Sequence, residues 1–167
     1  MAFEIERKFL ILNDAWQKDV TQKFDIVQGY LSRDKERTVR VRISDDRAYL
    51  TIKGKKTGMT AAEFEYEIPK ADAIELLKSC LPGTVEKTRH IIPLADGRKW
   101  EIDVFKGANT GLIMAEIELK SENDAFDRPA WLGAEVTQDS RYSNAALSTT
   151  PFSGWGKPPV TDRKNAF

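Results

Sequence analysis

A chain of 167 residues has the size of one ordinary domain and is long enough to bury a core of its own. With 41% hydrophobic and 10% aromatic residues, its composition excludes an intrinsically disordered chain. Lysine plus arginine and aspartate plus glutamate number 26 each, and this neutral balance argues against a general nucleic-acid or membrane-surface binder. The single Cys80 excludes an intrachain disulfide and a cysteine metal cluster. Without a signal peptide or a long apolar run, the sequence predicts a soluble, cytoplasmic protein.

The first half of the chain is predicted to be mostly strand. A strand is expected over residues 4–11, because Ile5, Phe9 and Ile11 alternate with polar residues at the period of a half-buried strand. A short helix is expected next, over residues 13–18. The same alternation predicts further strands over residues 24–31, 38–44, 48–53 and 62–68. Short turns, and a glycine- and lysine-rich connection after residue 53, join these strands as hairpins.

The second half begins with one clear helix, predicted over residues 72–81, where Ile74, Leu77 and Leu81 form an apolar stripe. Strands are then expected over residues 85–93, 99–105, 112–120 and 134–137. Helical structure is expected over residues 122–126, as a single turn, and over residues 139–147. Residues 150–167 are rich in proline, glycine and charge, so a loose carboxy-terminal tail is predicted there.

Charge is segregated on these strands, since in six of them one face carries charged residues alone. The acidic members are Glu4, Glu6, Glu63, Glu65, Glu67, Glu101, Asp103, Glu116 and Glu118. The basic members are Lys8, Arg40, Arg42, Lys53, Lys87, Arg89 and Lys120. Two arrangements accommodate this pattern. Either the apolar faces meet as a sandwich core and the charges face water, or the sheet closes into a barrel with the charges inside.

A solvated face is the ordinary reason for polar residues on an antiparallel sheet. Two observations favour the barrel lumen instead. Solvated faces usually mix serine, threonine and glutamine with charges, and repeated Glu-x-Glu places like charges about 6.6 Å apart along a strand with no relief on a plain surface. A lumen that holds divalent metals and a polyanion satisfies both signs. The helix over 72–81, the carboxy-terminal helix and long loops would then cover the apolar outer faces.

Several segments, taken in this order, resemble the CYTH superfamily, the triphosphate tunnel metalloenzymes. They are Glu4-x-Glu6-x-Lys8, Val39-Arg40-Val41-Arg42, Thr51-Ile52-Lys53-Gly54, residues 63–68, Lys87-Thr88-Arg89, residues 100–105, residues 115–119 and residues 131–142. The resemblance covers residues 1 to 148, and the short bacterial inorganic triphosphatases are the members that the chain resembles most.

The resemblance implies an α+β protein, an eight-stranded antiparallel closed β-barrel with a few covering helices. It implies a tunnel domain over residues 1–148 and a tail over residues 149–167. Mg²⁺ or Mn²⁺ would be held by Glu4, Glu6, Glu116 and Glu118, which are also the catalytic residues together with Lys8. Phosphates would be bound by Lys8, Arg40, Arg42, Lys53, Lys87, Arg89 and Arg141. Glu63, Glu65 and Asp103 would be supporting residues of the lumen.

The activity implied is metal-dependent hydrolysis of a linear triphosphate, with inorganic triphosphate favoured, by attack of a metal-activated water on a terminal phosphorus. An adenylate cyclase of the class IV type, a thiamine or nucleoside triphosphatase, and a non-catalytic polyphosphate-binding module are the alternatives. Both Glu-x-Glu pairs and Lys8 favour an enzyme over the module. The expected partner is a small triphosphate, with no nucleic acid and no membrane, and a homodimer is left open.

Overall fold

The computed structural model describes residues 3–156. Its nine strands are β1 Phe3–Ile11, β2 Gln22–Ser32, β3 Arg37–Ser44, β4 Arg47–Gly54, β5 Thr60–Ile68, β6 Val85–Pro93, β7 Lys99–Phe105, β8 Ile113–Glu118 and β9 Leu132–Glu135. Two α-helices are present, α1 Lys70–Lys78 and α2 Asn144–Thr149. Short 3₁₀ helices lie at Asp14–Asp19, Gly107–Asn109, Ser140–Tyr142 and Phe152–Gly154.

The sheet closes on itself through β1. The strand order runs β5-β4-β3-β2-β6-β7-β8-β1, and β1 also pairs with β5, with Glu4 opposite Ala61. All of these pairings are antiparallel, so the predicted closed barrel of eight strands is confirmed. The short β9 lies outside the ring and pairs with the second half of β1, where Phe9 is opposite Glu135.

Strand register decides which side chains face the interior of the barrel, here called the lumen. Glu6 lies opposite Glu118, and Lys8 lies opposite Glu116. Because successive side chains alternate between faces, one register brings the whole charged set of a strand to the same side. Phe9, the residue next to Lys8, faces outward and is fully buried in an apolar cluster with residues of β7 and β8. The charged faces therefore meet inside the ring, as the sequence predicts.

Two coverings bury the apolar outer surface. Helix α1 packs its Ala73, Leu76 and Leu77 against outward residues of β3 and β4 such as Val41. A second covering, made by the 3₁₀ helix that carries Trp16 and by the segment from residue 119 to residue 131, packs over β1, β7 and β8. These are aromatic-rich contacts, and burial of large apolar side chains is the main stabilising term for such a layer.

The carboxy-terminal part of the chain closes one end of the barrel. Leu10 and Met114 continue the inward faces that carry Lys8 and Glu116, and they form an apolar cluster with Leu147 of α2 and with Phe152. The prediction that the carboxy-terminal helix covers an outer face is therefore wrong. The tail prediction is wrong for residues 149–156, since Phe152 is buried, and the rest of the predicted tail lies outside the described residues.

Helix boundaries differ from the predictions where a local cap decides them. The helix expected over 72–81 runs from Lys70 to Lys78, directly after Pro69, because proline is well accommodated next to a helix start. The helix expected over 139–147 is split in two, because the side chains of Asp139 and Ser143 each accept a backbone N–H and begin a new helix. Residues 122–126 contain a turn at 122–123 and no helix. Among residues 3–156, no helix is long and apolar enough to cross a bilayer.

Candidate active site

Lys8 lies at the centre of the lumen between carboxylates of two neighbouring strands. Its ammonium is 3.7 Å from Glu6 and 3.7 Å from Glu116, and only 8% of the residue is exposed. Burial acts to lower the pKa of Lys8, but the charges of Glu116 and Glu6 outweigh it, and the pKa is raised. The side chain therefore stays cationic at neutral pH.

Lys53 forms the next pair along the lumen. Its ammonium lies 2.6 Å from Glu4 and 3.8 Å from Glu63, so β4 is joined to β1 and β5 through charge. Burial acts to lower the pKa of Lys53, but Glu6 and Glu4 together raise it. The pKa of Glu4 is also raised, first by burial and then by a hydrogen bond shared with Glu63. A carboxyl group whose pKa is raised by burial and by a neighbouring acid lies in a locally crowded acidic environment.

Two arginines of β3 point into the lumen and form its basic wall. Arg40 and Arg42 both contact Glu65 of β5, at 3.5 and 3.2 Å. Their Nε atoms are buried and have no hydrogen-bond partner among the described residues. A buried donor without an acceptor is costly, and here two guanidinium groups share one carboxylate. This wall of the lumen therefore has both the charge and the free donors to accept an anion.

A denser ion-pair group lies toward the closed end. Arg89 binds Asp103 through two hydrogen bonds of 2.8 and 2.9 Å, and Lys87 contacts the same carboxylate at 2.7 Å. Burial acts to raise the pKa of Asp103, but Arg89 and Lys87 lower it. The pKa of Lys87 is lowered to about 8, because its burial outweighs the opposing charge of Asp103. Asp103 therefore holds two cations in fixed positions.

The donor chemistry of the carboxylates suits a divalent ion. The pKa values of Glu4, Glu116 and Glu118 are raised, first by burial, and neighbouring carboxylates add to the shift in each case. The three residues therefore lie in a crowded acidic environment, although Lys53 and Lys8 partly offset the charges of Glu4 and Glu116. Clustered carboxylate oxygens are the ligands that Mg²⁺ and Mn²⁺ prefer. Within residues 3–156, no three histidine, cysteine or acidic side chains are already gathered as a metal cage. In this conformation lysines hold the acids, as the contacts of Lys8 and Lys53 show.

The structure brings almost all of the predicted site residues to the lumen. These are Glu4, Glu6, Lys8, Arg40, Arg42, Lys53, Glu63, Glu65, Lys87, Arg89, Asp103, Glu116 and Glu118. Glu67 continues the inward face of β5, but it pairs with Arg47 and its side chain is 51% exposed. Lys120 lies beyond the end of β8 and is exposed.

Arg141 is the exception among the predicted phosphate-binding residues. Its guanidinium pairs with Asp139 at 2.7 Å, and its side chain is 64% exposed. It also lies over the Trp155 ring, 5.0 Å from the centroid. The prediction that Arg141 faces the lumen is wrong in this structure, because a partner two residues away and an adjacent aromatic ring hold it on the surface.

Three lumen-related residues were missed by the sequence reasoning. Tyr30 is 3% exposed and shares a hydrogen bond with Arg40, and burial raises its pKa. Lys56 reaches from the glycine- and lysine-rich connection to the carbonyl oxygen of Thr137, at 3.0 Å. Asn144 contacts Lys87 at 2.9 Å. Strand alternation in β2 could have indicated Tyr30, and the lysine-rich connection could have indicated Lys56, but no local signal points to Asn144.

The fold and the lumen together define a closed antiparallel β-barrel whose interior carries an acidic wall and a basic wall. The CYTH domain family matches residues 2–151, and the chain belongs to this family. The chain is 44% identical over 153 residues to an inorganic triphosphatase of Acetivibrio thermocellus, which covers 91% of this chain and 97% of that protein. It is 36% identical over 149 residues to an inorganic triphosphatase of Nitrosomonas europaea, with 87% and 96% covered.

Among solved structures, the crystal structure of an inorganic triphosphatase is similar to this chain. The TM-score is 0.63 at 35% sequence identity, and the similarity covers 89% of this chain and 95% of the other. A Pyrococcus horikoshii protein of 23% identity shares the fold alone, with a TM-score of 0.58 over 72% of this chain and 80% of that one. The barrel fold of this chain is therefore shared with both of these solved structures.

Proposed function

We propose that this protein hydrolyses a linear triphosphate, with inorganic triphosphate as its substrate, and that it uses Mg²⁺ or Mn²⁺. The observation that carries the proposal is the division of the lumen into two walls. One wall carries Arg40 and Arg42, whose buried Nε donors have no acceptor within residues 3–156, and the other carries crowded carboxylates. Two relatives that match most of the chain are named inorganic triphosphatases, which supports this substrate over others.

The cationic residues would bind the phosphates. Arg40 and Arg42 offer planar forks with free Nε donors, and such forks bind phosphate oxygens in pairs. Lys8 and Lys53 would exchange their carboxylate partners for phosphate oxygens as the substrate enters. Arg89 and Lys87 are held by Asp103 at the closed end and would contact one terminal phosphate. Phosphoryl transfer depends on such positioning and charge neutralisation more than on covalent chemistry.

The acidic residues would hold the divalent ions, and the family to which the chain belongs implies such an ion. Glu4 and Glu6 of β1 with Glu116 and Glu118 of β8 supply hard oxygen donors from two adjacent strands. Ions held by these four residues would supply charge neutralisation for phosphate oxygens and would lower the pKa of a bound water. Release of Lys8 and Lys53 from these carboxylates would make both sets of groups available at once.

A substrate panel tests the proposal. The purified protein is incubated with inorganic triphosphate, ATP and thiamine triphosphate, each with Mg²⁺, with Mn²⁺ and with excess EDTA. We expect phosphate release from inorganic triphosphate with either metal and none in EDTA. Formation of cyclic AMP from ATP, preferred turnover of thiamine triphosphate, binding of triphosphate without turnover, or full activity in EDTA would each contradict the proposal.

A further inference from the structure

The amide side chain of Asn144 connects α2 to two buried residues of the barrel wall. Its Oδ1 atom accepts a hydrogen bond from Lys87 Nζ at 2.9 Å and one from Gln28 Nε2 at 3.0 Å. Lys87 is 2% exposed and Gln28 is fully buried. Asn144 is the first residue of α2, the helix that closes this end of the barrel. The closing helix thus places one polar atom, Asn144 Oδ1, against two buried residues of the barrel wall.

The orientation of this amide follows from chemistry. An ammonium group carries only donors, so the Asn144 oxygen, and not its NH₂ group, must face Lys87. The same oxygen has a second lone pair, which accepts from Gln28. A leucine of similar size would accept neither of these two hydrogen bonds. The site therefore discriminates among side chains by hydrogen-bonding capacity and not by shape alone.

The contacts of Lys87 leave it able to bind a ligand. Among residues 3–156 its ammonium has two acceptors, Asp103 at 2.7 Å and Asn144 at 2.9 Å. An ammonium group has three N–H donors, so one remains for a phosphate oxygen. Two acceptors from different elements fix the direction of the third donor.

We propose that Asn144 is a positioning residue for substrate binding, which holds the Lys87 ammonium charged and oriented at the closed end of the lumen. The inference rests on the proposed function, in which Lys87 binds a phosphate. It adds that the carboxy-terminal helix takes part in substrate binding through Lys87 and does more than close the barrel.

The other groups around Lys87 set its charge in opposite directions. On β7, Asp103 favours the ammonium and the Phe105 ring lies 5.4 Å from it. Arg89 of β6 disfavours the ammonium, and Glu116 of β8 favours it. With burial, these groups leave the pKa of Lys87 lowered to about 8. Loss of a hydrogen bond to the charged form lowers such a pKa further.

Direct titration of Lys87 by NMR, in metal-free protein labelled on lysine, tests the positioning role without relying on activity. We expect Asn144→Leu to lower the pKa of Lys87 by about one unit, the size of one hydrogen bond to a charged group. We expect Asn144→Asp to raise it, because a carboxylate replaces a neutral acceptor of the same shape. Ser143→Ala is the matched control, since Ser143 caps α2 through Ala146 and does not contact Lys87.

A purely structural role would weaken α2 alike in the Asn144 and Ser143 variants and would leave the Lys87 titration unchanged. An unchanged pKa in Asn144→Asp would overturn the proposal even if Asn144→Leu fails to fold. In kinetics, the alkaline limb of kcat/KM for inorganic triphosphate should move to lower pH in Asn144→Leu, because only the ammonium binds phosphate. Shifted titrations with no turnover of triphosphate by the wild-type protein would instead refute the proposed function alone.

Discussion

The ammonium of Lys53 and the carboxylate of Glu4 lie 2.6 Å apart inside the barrel. These two residues are assigned to different ligands, Lys53 to a phosphate and Glu4 to a divalent ion. In the lumen they neutralise each other. Entry of a triphosphate together with its cations would separate this pair. Lys53 would then contact a phosphate in place of the carboxylate, and Glu4 would contact a divalent ion in place of the ammonium. The exchange would leave neither of these two buried charges without an opposite charge.

Lys53→Met tests the phosphate side of this exchange. The variant keeps the length of the side chain and removes its charge, so KM for inorganic triphosphate should rise about 10-fold or more, the usual loss for a charge-assisted hydrogen bond. Lys55→Met is the control, because Lys55 is exposed two residues away. Equal KM values for the two variants in steady-state phosphate release would show that Lys53 does not bind substrate.

Arg42→Ala removes a guanidinium that contacts Glu65 at 3.2 Å and has a free buried Nε. Because this fork would hold phosphate in the ground state and the transition state alike, KM should rise, with some fall in kcat. Arg47→Ala is the control, since Arg47 is 64% exposed and pairs with Glu67 at the solvent-exposed edge of the barrel. The assignment fails if initial-rate kinetics show wild-type KM for Arg42→Ala.

Glu118→Gln tests whether the crowded carboxylates lower the stability of the folded protein. Burial and the nearby acids raise the pKa of Glu118 in the folded protein, so stability falls as pH rises from the unfolded pKa through the folded one. The destabilisation is complete at neutral pH, where Glu118 is ionised, and protonation of this carboxylate removes it in acid. In chelator at pH 7 we expect Glu118→Gln to raise Tm by about 1–2 °C, a small gain because Glu118 is solvent-exposed at the end of β8.

Thermal unfolding with and without Mg²⁺ completes that comparison. The gain from Glu118→Gln should vanish below about pH 4, where the carboxylate is protonated in both states. Added Mg²⁺ should then raise the Tm of the wild type more than that of the variant, because a ligand stabilises the state that binds it. Glu67→Gln, on an exposed pair, should show neither effect. A lower Tm for Glu118→Gln than for the wild type, at pH 7 in chelator, would refute the claim that the crowded carboxylates destabilise the metal-free protein.

The inward placement of the charged residues was predictable because strand alternation is a local property. Once Glu6 and Lys8 share a face, the period of two places every second residue of the strand on that face, and six such strands favour a closed lumen. The sequence could not show which end closes. Leu10 and Met114 continue charged faces as apolar residues, and only long-range packing of Phe152 and Leu147 shows that they form an end wall.

Arg141 and Asn144 also show that local sequence does not determine the placement of side chains outside the strands. Arg141 matched a motif, yet its nearest carboxylate, Asp139, holds it on the surface. Asn144 matched nothing, yet α2 places it against Lys87, 57 residues away in the chain. Side chains on strands inherit their direction from the register, whereas those on the short elements after β9 depend on how the chain returns to the barrel.

Steady-state phosphate release from inorganic triphosphate by Glu6→Gln, beside Glu67→Gln and with saturating Mg²⁺ or Mn²⁺, tests the lumen as a catalytic site most directly. Glu6→Gln keeps the shape of the side chain and removes a charge from the proposed metal ligands. We predict that its kcat falls by a factor on the order of 10² or more, while Glu67→Gln retains wild-type kcat. An unchanged kcat for Glu6→Gln would contradict the metal-binding role of β1 in triphosphate hydrolysis.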